Sequence, residues 1–500
     1  MRVRYHVIVV MPSSSAILVD RQESMWLLPC MADENTVRGA DVVRRGLAAI
    51  GVSGRIRWME AIAFQRAAAE LQMLAVVDAA GPCTAPEFTA VAPEEIKPGS
   101  AVLPVQATAL TVYRRAVGDD TSDHGPSYRN ARMWWALDTW LADTLDAAGL
   151  RRTGVDRQYK ALASDTVLTL ATTGGPIHFK GCARSPFVEA ELGQYLAERW
   201  PSHVAPTLAY DRRHGWWLTH HAPGYGLTHS MTLRKGLAVV ETLALMQADA
   251  CAHVDELAGL GCPRLDLDRV VRNALTLLAD ASTHASLHDN PPDHLTHDMR
   301  DALARADRVA AALTEAAARL HALQPPITWL HTDLADSNIF VDAGADGRAR
   351  VTFIDLASPF IGPASIALYS FLHYLPRYVD RDRLIGEGWT TALKARYAHV
   401  WAARGWRQTE DSFRSAKLIA YAMKTLKGLE SPLTRGVSDA NGADALRQYV
   451  GVRSAARLCQ AVLSARDASD QRTPRRESDS DPDPDLSAFS RSRSFAQRVY

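Results

Sequence analysis

The sequence predicts a multidomain chain of α/β and α+β type, in which a small α/β domain precedes a unit with a small β-rich lobe and a large helical lobe. Its length of 500 residues exceeds what one hydrophobic core usually supports. Strand-like runs lie in the first half, whereas Ala- and Leu-rich segments with helical spacing dominate after about residue 226. We therefore expect domains at 1–116, 131–226 and 227–466, with a linker at 117–130.

Composition limits the classes of partner. Lys plus Arg and Asp plus Glu number 56 each, so no global charge favours nucleic acid or an anionic membrane, and we expect neither as a partner. No run approaches the roughly 20 apolar residues of a membrane span, and the first apolar run is too short for a signal peptide. We expect a cytoplasmic protein. The six cysteines are scattered without metal-site spacing and are interpreted as buried reduced thiols.

The first domain and the linker have simple patterns. Arg4 to Val10 and Ser15 to Val19 are typical of strands, and Ala40 to Ile50 has the apolar spacing of a helix. The segment 117–130 is polar, charged and contains Gly and Pro, which is typical of a linker.

The second unit begins with a Trp- and Leu-rich helix from Ala131. Strands are predicted at Thr166 to Ala171, Pro176 to Lys180, Ala205 to Tyr210 and Trp216 to Thr219, with one helix in the middle of this order. Such an order predicts a small sheet with one packed helix.

The larger lobe is predicted to be helical. Helices are expected at Leu233 to Asp249, Leu265 to Ala279 and Met299 to Leu323, and a β-hairpin at Asn338 to Val341 and Arg350 to Ile354. The residues 467–500 are rich in Ser, Asp, Arg and Pro and are predicted to be a disordered tail.

One motif carries the chemistry. His331, Asp333 and Asn338 follow the spacing HxDxxxxN, and the predicted hairpin ends at Asp355. In phosphoryl transfer one carboxylate orients the attacking hydroxyl, while an amide and a second carboxylate hold magnesium. Asp333, Asn338 and Asp355 can fill these three roles, and His331 is interpreted as a structural brace for the loop.

This segment resembles the aminoglycoside phosphotransferase and choline kinase-like family, whose loop reads HGDxxxxN and is followed by a hairpin with IDF or IDW. The resemblance covers about Ala131 to Asp380 and departs from the family pattern at Thr332, at Asp336-Ser337 and at Ser365. It implies a bilobal protein kinase-like fold that uses ATP and Mg²⁺ to phosphorylate a hydroxyl group.

The resemblance also implies a nucleotide site upstream. Lys180 lies at a strand end and Glu189 opens a helix nine residues later, as in the family's FK…E pattern, so Lys180 is expected to bind phosphates and Glu189 to hold it. Glu191 is the alternative partner. Ser164 is predicted to contact the nucleotide from the loop before the first strands. His220 and His221 fall in the hinge region and are interpreted as spacers.

The acceptor region is less defined. The acidic and His-rich stretch from Ser286 to Asp301 lies where this family builds its acceptor site, although a solvated polar loop also explains it. The acceptor is an aminoglycoside, another small molecule or natural product, or a Ser/Thr of a biosynthetic peptide. The alternative from another class is an inactive kinase-like binding or scaffold protein.

The first domain carries a second resemblance, to the Nudix hydrolases. MWLLPC at 25–30 is similar to the entry of the Nudix box and RRGLAAIGV at 44–52 to its helix. In that box glutamates bind magnesium. Here the three helix positions are Arg45, Ala48 and Ala49, so the resemblance implies a degenerate, non-hydrolytic domain.

Overall fold

A computed structural model describes most of the chain. The described residues are 2–12, 16–22, 25–33, 39–65, 68–96, 103–118, 127–182, 188–227, 231–286, 295–343, 349–377, 379, 388–429 and 440–470. They form a mixed α/β structure with two main sheets and one large helical region.

The first domain is a mixed sheet between two helices. The elements are β1 (Arg2–Val10), β2 (Ile17–Gln22), β3 (Met25–Leu27), β4 (Cys30–Asp33), α1 (Gly39–Ala49), β5 (Gly54–Gln65), β6 (Glu70–Ala79), β7 (Phe88–Val91) and α2 (Pro104–Gly118). The sheet has the order β3-β2-β1-β6-β5, with β4 also paired to β1 and β7 to β2. Helix α1 packs on one face through Val43 and Leu47, and α2 on the other through Ala109 and Leu110.

In the described residues this sheet has seven strands, whereas the sequence analysis predicted two strands in the first domain. The long pair β5 and β6 is buried on both faces, so its apolar residues do not alternate with polar ones as they do in a half-exposed strand. At the end of α1, Gly51 has a φ of +68° and a Cβ there would collide with Thr84, so the turn requires glycine.

The β-rich lobe is a five-stranded antiparallel sheet. Its elements are α3 (Ala131–Ala147), β8 (Arg157–Ala161), β9 (Asp165–Thr172), β10 (Gly175–Cys182), α4 (Val188–Arg199), β11 (Thr207–Asp211) and β12 (Trp216–His220). The order is β11-β12-β10-β9-β8. In β10, Ile177 and Phe179 pack into the core with α3, so His178 and Lys180 point to the opposite face.

The remaining elements form the helical lobe. They are β13 (Tyr225–Gly226), α5 (Leu233–Ala250), α6 (Val254–Gly259), α7 (Leu267–Ser286), α8 (His297–Leu303), α9 (Ala306–Leu323), β14 (Ile327–His331), β15 (Ile339–Ala343), β16 (Ala349–Phe353), β17 (Pro359–Pro363), α10 (Ser365–Leu372), α11 (Trp389–Ala402), α12 (Glu410–Leu429) and α13 (Ala440–Asp470). The single helix predicted from Met299 to Leu323 is two helices, because the chain turns at Ala304 and Arg305.

A buried amide fixes the centre of this lobe. Gln247 of α5 donates to the carbonyls of Trp329 (3.0 Å) and Ala364 (3.2 Å) and accepts from the Tyr397 hydroxyl (2.7 Å). Its side chain thereby connects α5 with β14, the start of α10 and α11. Because β14 leads into the HxDxxxxN loop, these hydrogen bonds of Gln247 fix the position of the strand from which the loop begins.

One helical stretch of the described chain, Leu233–Gly259, is long and apolar enough to cross a membrane by length and composition alone. Most of it is α5, and Val239, Val240 and Leu243 on this helix are fully buried in the main core of the helical lobe. In this fold α5 is therefore a core helix.

The first domain contacts both lobes. Gln158 of β8 hydrogen-bonds the backbone of Ile56 through both ends of its amide (3.1 and 2.8 Å), and Arg55 pairs with Asp138 of α3 at 2.8 Å. From the helical lobe, Tyr449 of α13 packs on Phe64 with ring centroids 5.3 Å apart. The first domain therefore connects one lobe to the other.

A helix extends across each of two predicted boundaries, the one after residue 116 and the one after residue 466. Helix α2 continues to Gly118 and Tyr128 is fully buried, while residues 119–126 of the predicted linker lie outside the described residues. Helix α13 continues to Asp470, beyond the predicted start of the tail, and residues 471–500 lie outside the described residues as well.

Candidate active site

Lys180 is the centre of a three-residue charge cluster. Its ammonium lies 2.8 Å from Glu189, in the first turn of α4, and donates to Asp355 Oδ1 at 2.6 Å. The alternative partner, Glu191, instead contacts Arg212 at 3.3 Å. The structure thus brings together Lys180, Glu189 and Asp355, residues that are up to 175 positions apart in the chain.

The HxDxxxxN loop follows β14 and is braced by His331. The ring of His331 donates through Nε2 to the Ile354 carbonyl (3.0 Å), and its Nδ1 accepts from the backbone N–H of Asp333 (3.3 Å). Burial lowers the pKa of His331, which fits a neutral imidazole with one donor and one acceptor nitrogen. His331 therefore shapes the loop.

Asn338 ends this loop in a short 3₁₀ turn, Asp336–Asn338. Its side-chain Nδ2 donates to the backbone carbonyl of Asp333 at 2.9 Å. Its backbone carbonyl accepts from the N–H of Ile354 at 3.0 Å. Its Oδ1 accepts from the Ser337 hydroxyl at 3.4 Å and retains a second lone pair that could bind a metal ion.

Asp355 follows the hairpin of β15 and β16, which pairs Ile339 with Phe353. This pairing returns the chain to Asn338. Asp355 has a φ of +59°, in the left-handed region that Asp tolerates better than most side chains. An unusual backbone conformation at a charged residue is typical of functional sites.

The three charged groups of the cluster shift one another's pKa values. Burial raises the pKa of Glu189, and the Lys180 ammonium opposes this shift. The Lys180 ammonium holds the pKa of Asp355 well below its usual range, against the opposing effect of burial. Burial alone would lower the pKa of Lys180, but the charges of Asp355 and Glu189 outweigh it and raise the pKa. Lys180 is therefore a permanent cation and Asp355 a permanent carboxylate at neutral pH.

The donor set fits Mg²⁺. Asp355 and the Asn338 Oδ1 are oxygen donors that could bind Mg²⁺, which in nucleotide sites is held by one or two carboxylates together with phosphate oxygens and water. The described residues hold no cluster of three or more His, Cys, Asp or Glu that would form a complete metal cage.

Asp333 has two partners that the sequence analysis did not identify. Its Oδ1 accepts from the Tyr374 hydroxyl (2.9 Å) and its Oδ2 from Lys427 of α12 (3.0 Å). Burial favours the neutral acid, but Lys427 and Tyr374 outweigh it and lower the pKa of Asp333. Lys427 is 94 residues away in sequence and belongs to no local motif, so no sequence pattern indicated it.

A second group faces the cleft between the lobes. His178 of β10 contacts His221, with Nε2 and Nδ1 2.7 Å apart, and the His221 ring lies 5.7 Å from that of Phe340 on β15. The interpretation of His221 as a spacer was therefore incomplete, since its ring contacts both lobes. His178 could have been suspected from its position two residues before Lys180, because both side chains share one face of β10.

Ser164 does not join the cluster around Lys180. It is buried, with 7% of its surface exposed, and its hydroxyl donates to Asp165 at 2.7 Å. The adjacent Ala163 carbonyl accepts from Tyr128, and Leu162 forms a bridge to Met59 of the first domain. The prediction of a nucleotide contact at Ser164 is thus not supported by its hydrogen bonding, because this loop packs against the first domain.

The acidic stretch proposed for the acceptor lies only partly in the described chain. Residues 287–294 are outside the described residues, and α8 packs against α13 and α7. There His297 pairs with Asp301 at 3.1 Å. In the described residues the groups beside Asp333 come from α12 and from the end of α10 instead.

Comparison with solved structures finds several kinases. A Plasmodium vivax ethanolamine kinase aligns with a TM-score of 0.39 and 10% identity over 64% of this chain and 84% of that one. A choline kinase from Streptococcus pneumoniae aligns with a TM-score of 0.41 and 10% identity over 66% and 99%. An aminoglycoside 2'-phosphotransferase aligns with a TM-score of 0.38 and 12% identity over 62% and 98%. No protein-family model and no curated protein matches the sequence.

Proposed function

We propose that the protein is an ATP- and Mg²⁺-dependent phosphotransferase that transfers the γ-phosphate to a hydroxyl group. The single observation that carries this proposal is the Lys180 ammonium held between Glu189 and Asp355, in the same cleft as Asp333 and Asn338. A lysine fixed by a helix carboxylate, a metal-binding Asp and Asn, and a separate carboxylate for the hydroxyl are the parts that phosphoryl transfer requires.

Each residue has one role in the reaction. Lys180 neutralises nucleotide phosphates and Glu189 holds its ammonium in position. Asp355 and Asn338 would hold Mg²⁺, which when bound neutralises charge on the phosphates. Asp333 orients the acceptor hydroxyl and receives its proton while the hydroxyl oxygen bonds to the γ-phosphorus and ADP leaves with the bridging oxygen.

The nucleotide base has a candidate position beside His178, His221 and Phe340. His178 lies on β10, His221 follows β12 and Phe340 lies on β15, so the three rings approach the cleft from both lobes. Aromatic and imidazole faces stack well on a purine. Their place next to Lys180 supports a nucleotide whose phosphates extend towards that ammonium.

Binding of MgATP tests the proposal. At a nucleotide concentration about 100 times Kd, a ligand bound only by the folded state stabilises it by about 2.7 kcal/mol. The melting temperature of the full chain should therefore rise when ATP is added in the presence of Mg²⁺, and should rise less when Mg²⁺ is left out. In Asp355→Asn the magnesium-dependent part of the shift should be lost. An unshifted transition at millimolar MgATP would favour a binding or scaffold protein.

For the acceptor we propose a small molecule or natural product with a free hydroxyl, and a Ser/Thr side chain of a peptide is the alternative. A panel with amino alcohols, aminoglycosides and Ser-containing peptides, assayed for ADP release, distinguishes the two. Acceleration by peptides alone would overturn the small-molecule assignment.

We also propose that residues 1–116 are a Nudix-like domain without the hydrolase chemistry. Its support is a sheet between two helices, and a helix α1 in which Arg45, Ala48 and Ala49 offer no carboxylate and Asp41 pairs with Arg44. The full chain carrying Asp333→Asn should therefore not hydrolyse nucleoside diphosphate sugars when Mg²⁺ is added. Magnesium-dependent hydrolysis by that variant would show that other carboxylates of the domain bind the metal.

A further inference from the structure

The last turn of α12 brings a lysine to the open side of the Asp333 carboxylate. Lys427 Nζ lies 3.0 Å from Asp333 Oδ2, and the two side chains are 44% and 31% exposed. The pair is thus at the surface of the cleft, where a bound nucleotide would meet it.

The opposite oxygen of Asp333 is held by a different type of group. The hydroxyl of Tyr374 donates to Oδ1 at 2.9 Å, and Lys424 lies 3.4 Å from the centre of the Tyr374 ring. The neutral hydroxyl can fix the carboxylate orientation without neutralising its charge. Lys427 is therefore the group that has to leave or share Asp333 before this carboxylate can accept a proton efficiently.

The loop itself supplies no cation. The segment from His331 to Asn338 reads HTDLADSN and contains no Lys or Arg. Charge develops on the oxygens of the transferring phosphoryl group, and a fixed cation next to them stabilises the transition state. A lysine suits this position, because its flexible stem allows the ammonium to move between two anionic partners.

We infer that Lys427 is a catalytic residue that binds the γ-phosphoryl group during transfer and thereby frees Asp333 to act as the base. This inference rests on the proposed phosphotransferase function. When nucleotide is bound, the Lys427 ammonium donates to the γ-phosphate oxygens. The γ-phosphorus bond to the bridging oxygen breaks, the acceptor oxygen bonds to phosphorus, and the acceptor proton passes to Asp333.

The test uses water as the acceptor, so that recognition of an unidentified acceptor cannot contribute. Slow hydrolysis of MgATP by the full chain is compared with that of Lys427→Met. Removal of one such donor typically lowers kcat by about 100-fold. We expect a loss of that order in kcat, with a KM for MgATP changed by no more than about threefold, because Lys180 and Mg²⁺ provide most of the ground-state binding.

Two further variants make the result specific. Lys427→Arg keeps the charge and should recover part of kcat, which a purely structural role of Lys427 would not require. Lys394→Met is the matched control, since it breaks the ion pair that Lys394 makes with Glu410 at 2.7 Å in the first turn of the same helix. It should hydrolyse MgATP at the wild-type rate. Lys427→Gln, measured alongside, shows the same loss in a variant with a polar replacement.

The outcomes separate the two claims. If Lys427→Met and Lys427→Gln fold and hydrolyse MgATP at the wild-type kcat, the assignment of Lys427 is wrong and the proposed function stands. A change confined to the KM of an organic acceptor would also overturn it, because Lys427 would then recognise the acceptor. If the wild-type chain neither binds nor hydrolyses MgATP, the proposed function itself fails.

Discussion

At the scale of single residues, the site is defined by how cations are shared between carboxylates. Lys180 connects Glu189 with Asp355, and Lys427 pairs with Asp333. Each ammonium has a carboxylate partner. For the partly buried Lys180 this pairing matters most, because an unpaired buried charge is costly. Under the proposed function, the nucleotide phosphates are the anions that would take the place of a carboxylate beside each ammonium.

His178 predicts a dependence of stability on pH. Burial, together with the neighbouring His221, lowers the pKa of His178 from 6.5 to about 4. Above pH 6.5, the pKa of this histidine in the unfolded chain, neither the folded nor the unfolded protein binds the additional proton. As the pH falls from 6.5 towards 4, only the unfolded chain gains it, so the free energy of unfolding decreases. The melting temperature should therefore decrease less steeply with falling pH across this range in His178→Gln than in the wild type.

The control for His178 is its exposed neighbour on the sheet. His220→Gln removes an imidazole at the exposed end of β12 and should keep the wild-type slope of melting temperature against pH. His221 contacts His178 and its pKa is also lowered by burial, so His178→Gln is expected to leave a residual slope. Equal slopes for wild type and His178→Gln would show that protonation of the pair His178 and His221 does not couple to folding.

At the scale of elements, helix α5 and its Gln247 hold strand β14, which leads into the HxDxxxxN loop. Replacement by Leu would remove three buried hydrogen bonds, two to the carbonyls of Trp329 and Ala364 and one from the Tyr397 hydroxyl. Loss of partners for buried polar groups costs about 1–3 kcal/mol. We expect Gln247→Leu to lower the free energy of unfolding in denaturant by that amount.

Gln194→Leu on helix α4 is the matched control. Its amide makes an exposed hydrogen bond with Glu198 at 2.9 Å, and such surface changes are usually within about 0.5 kcal/mol. A Gln247→Leu variant as stable as this control would contradict the supporting role of the buried amide.

The sequence indicated elements whose pattern is local. Helix α5, the hairpin of β15 and β16, and the positions of Lys180 and Glu189 follow from short motifs and periodicity. The pair β5 and β6 was missed because strands buried on both faces lack alternation. Lys427 was missed for a different reason, since its role arises only when α12 packs beside a loop 94 residues earlier.

At the scale of the whole molecule, the first domain joins the two lobes. Gln158, Asp138 and Tyr449 contact it from the β-rich lobe and from α13, and the loop at Leu162 and Ala163 packs against it as well. These contacts limit how far the lobes can separate. They also explain why the Ser164 loop is buried, which no local pattern could reveal.

The central claim is that the cleft transfers the γ-phosphate of ATP by using Asp333. The most direct measurement is phosphorus NMR of MgATP incubated with the full chain and with Asp333→Asn, which is nearly identical in shape but cannot accept the proton. General base catalysis contributes at least about 100-fold. We predict magnesium-dependent formation of ADP by the wild type, and a loss of that order in Asp333→Asn with MgATP affinity retained. ADP formation at the same rate by both chains would contradict the account.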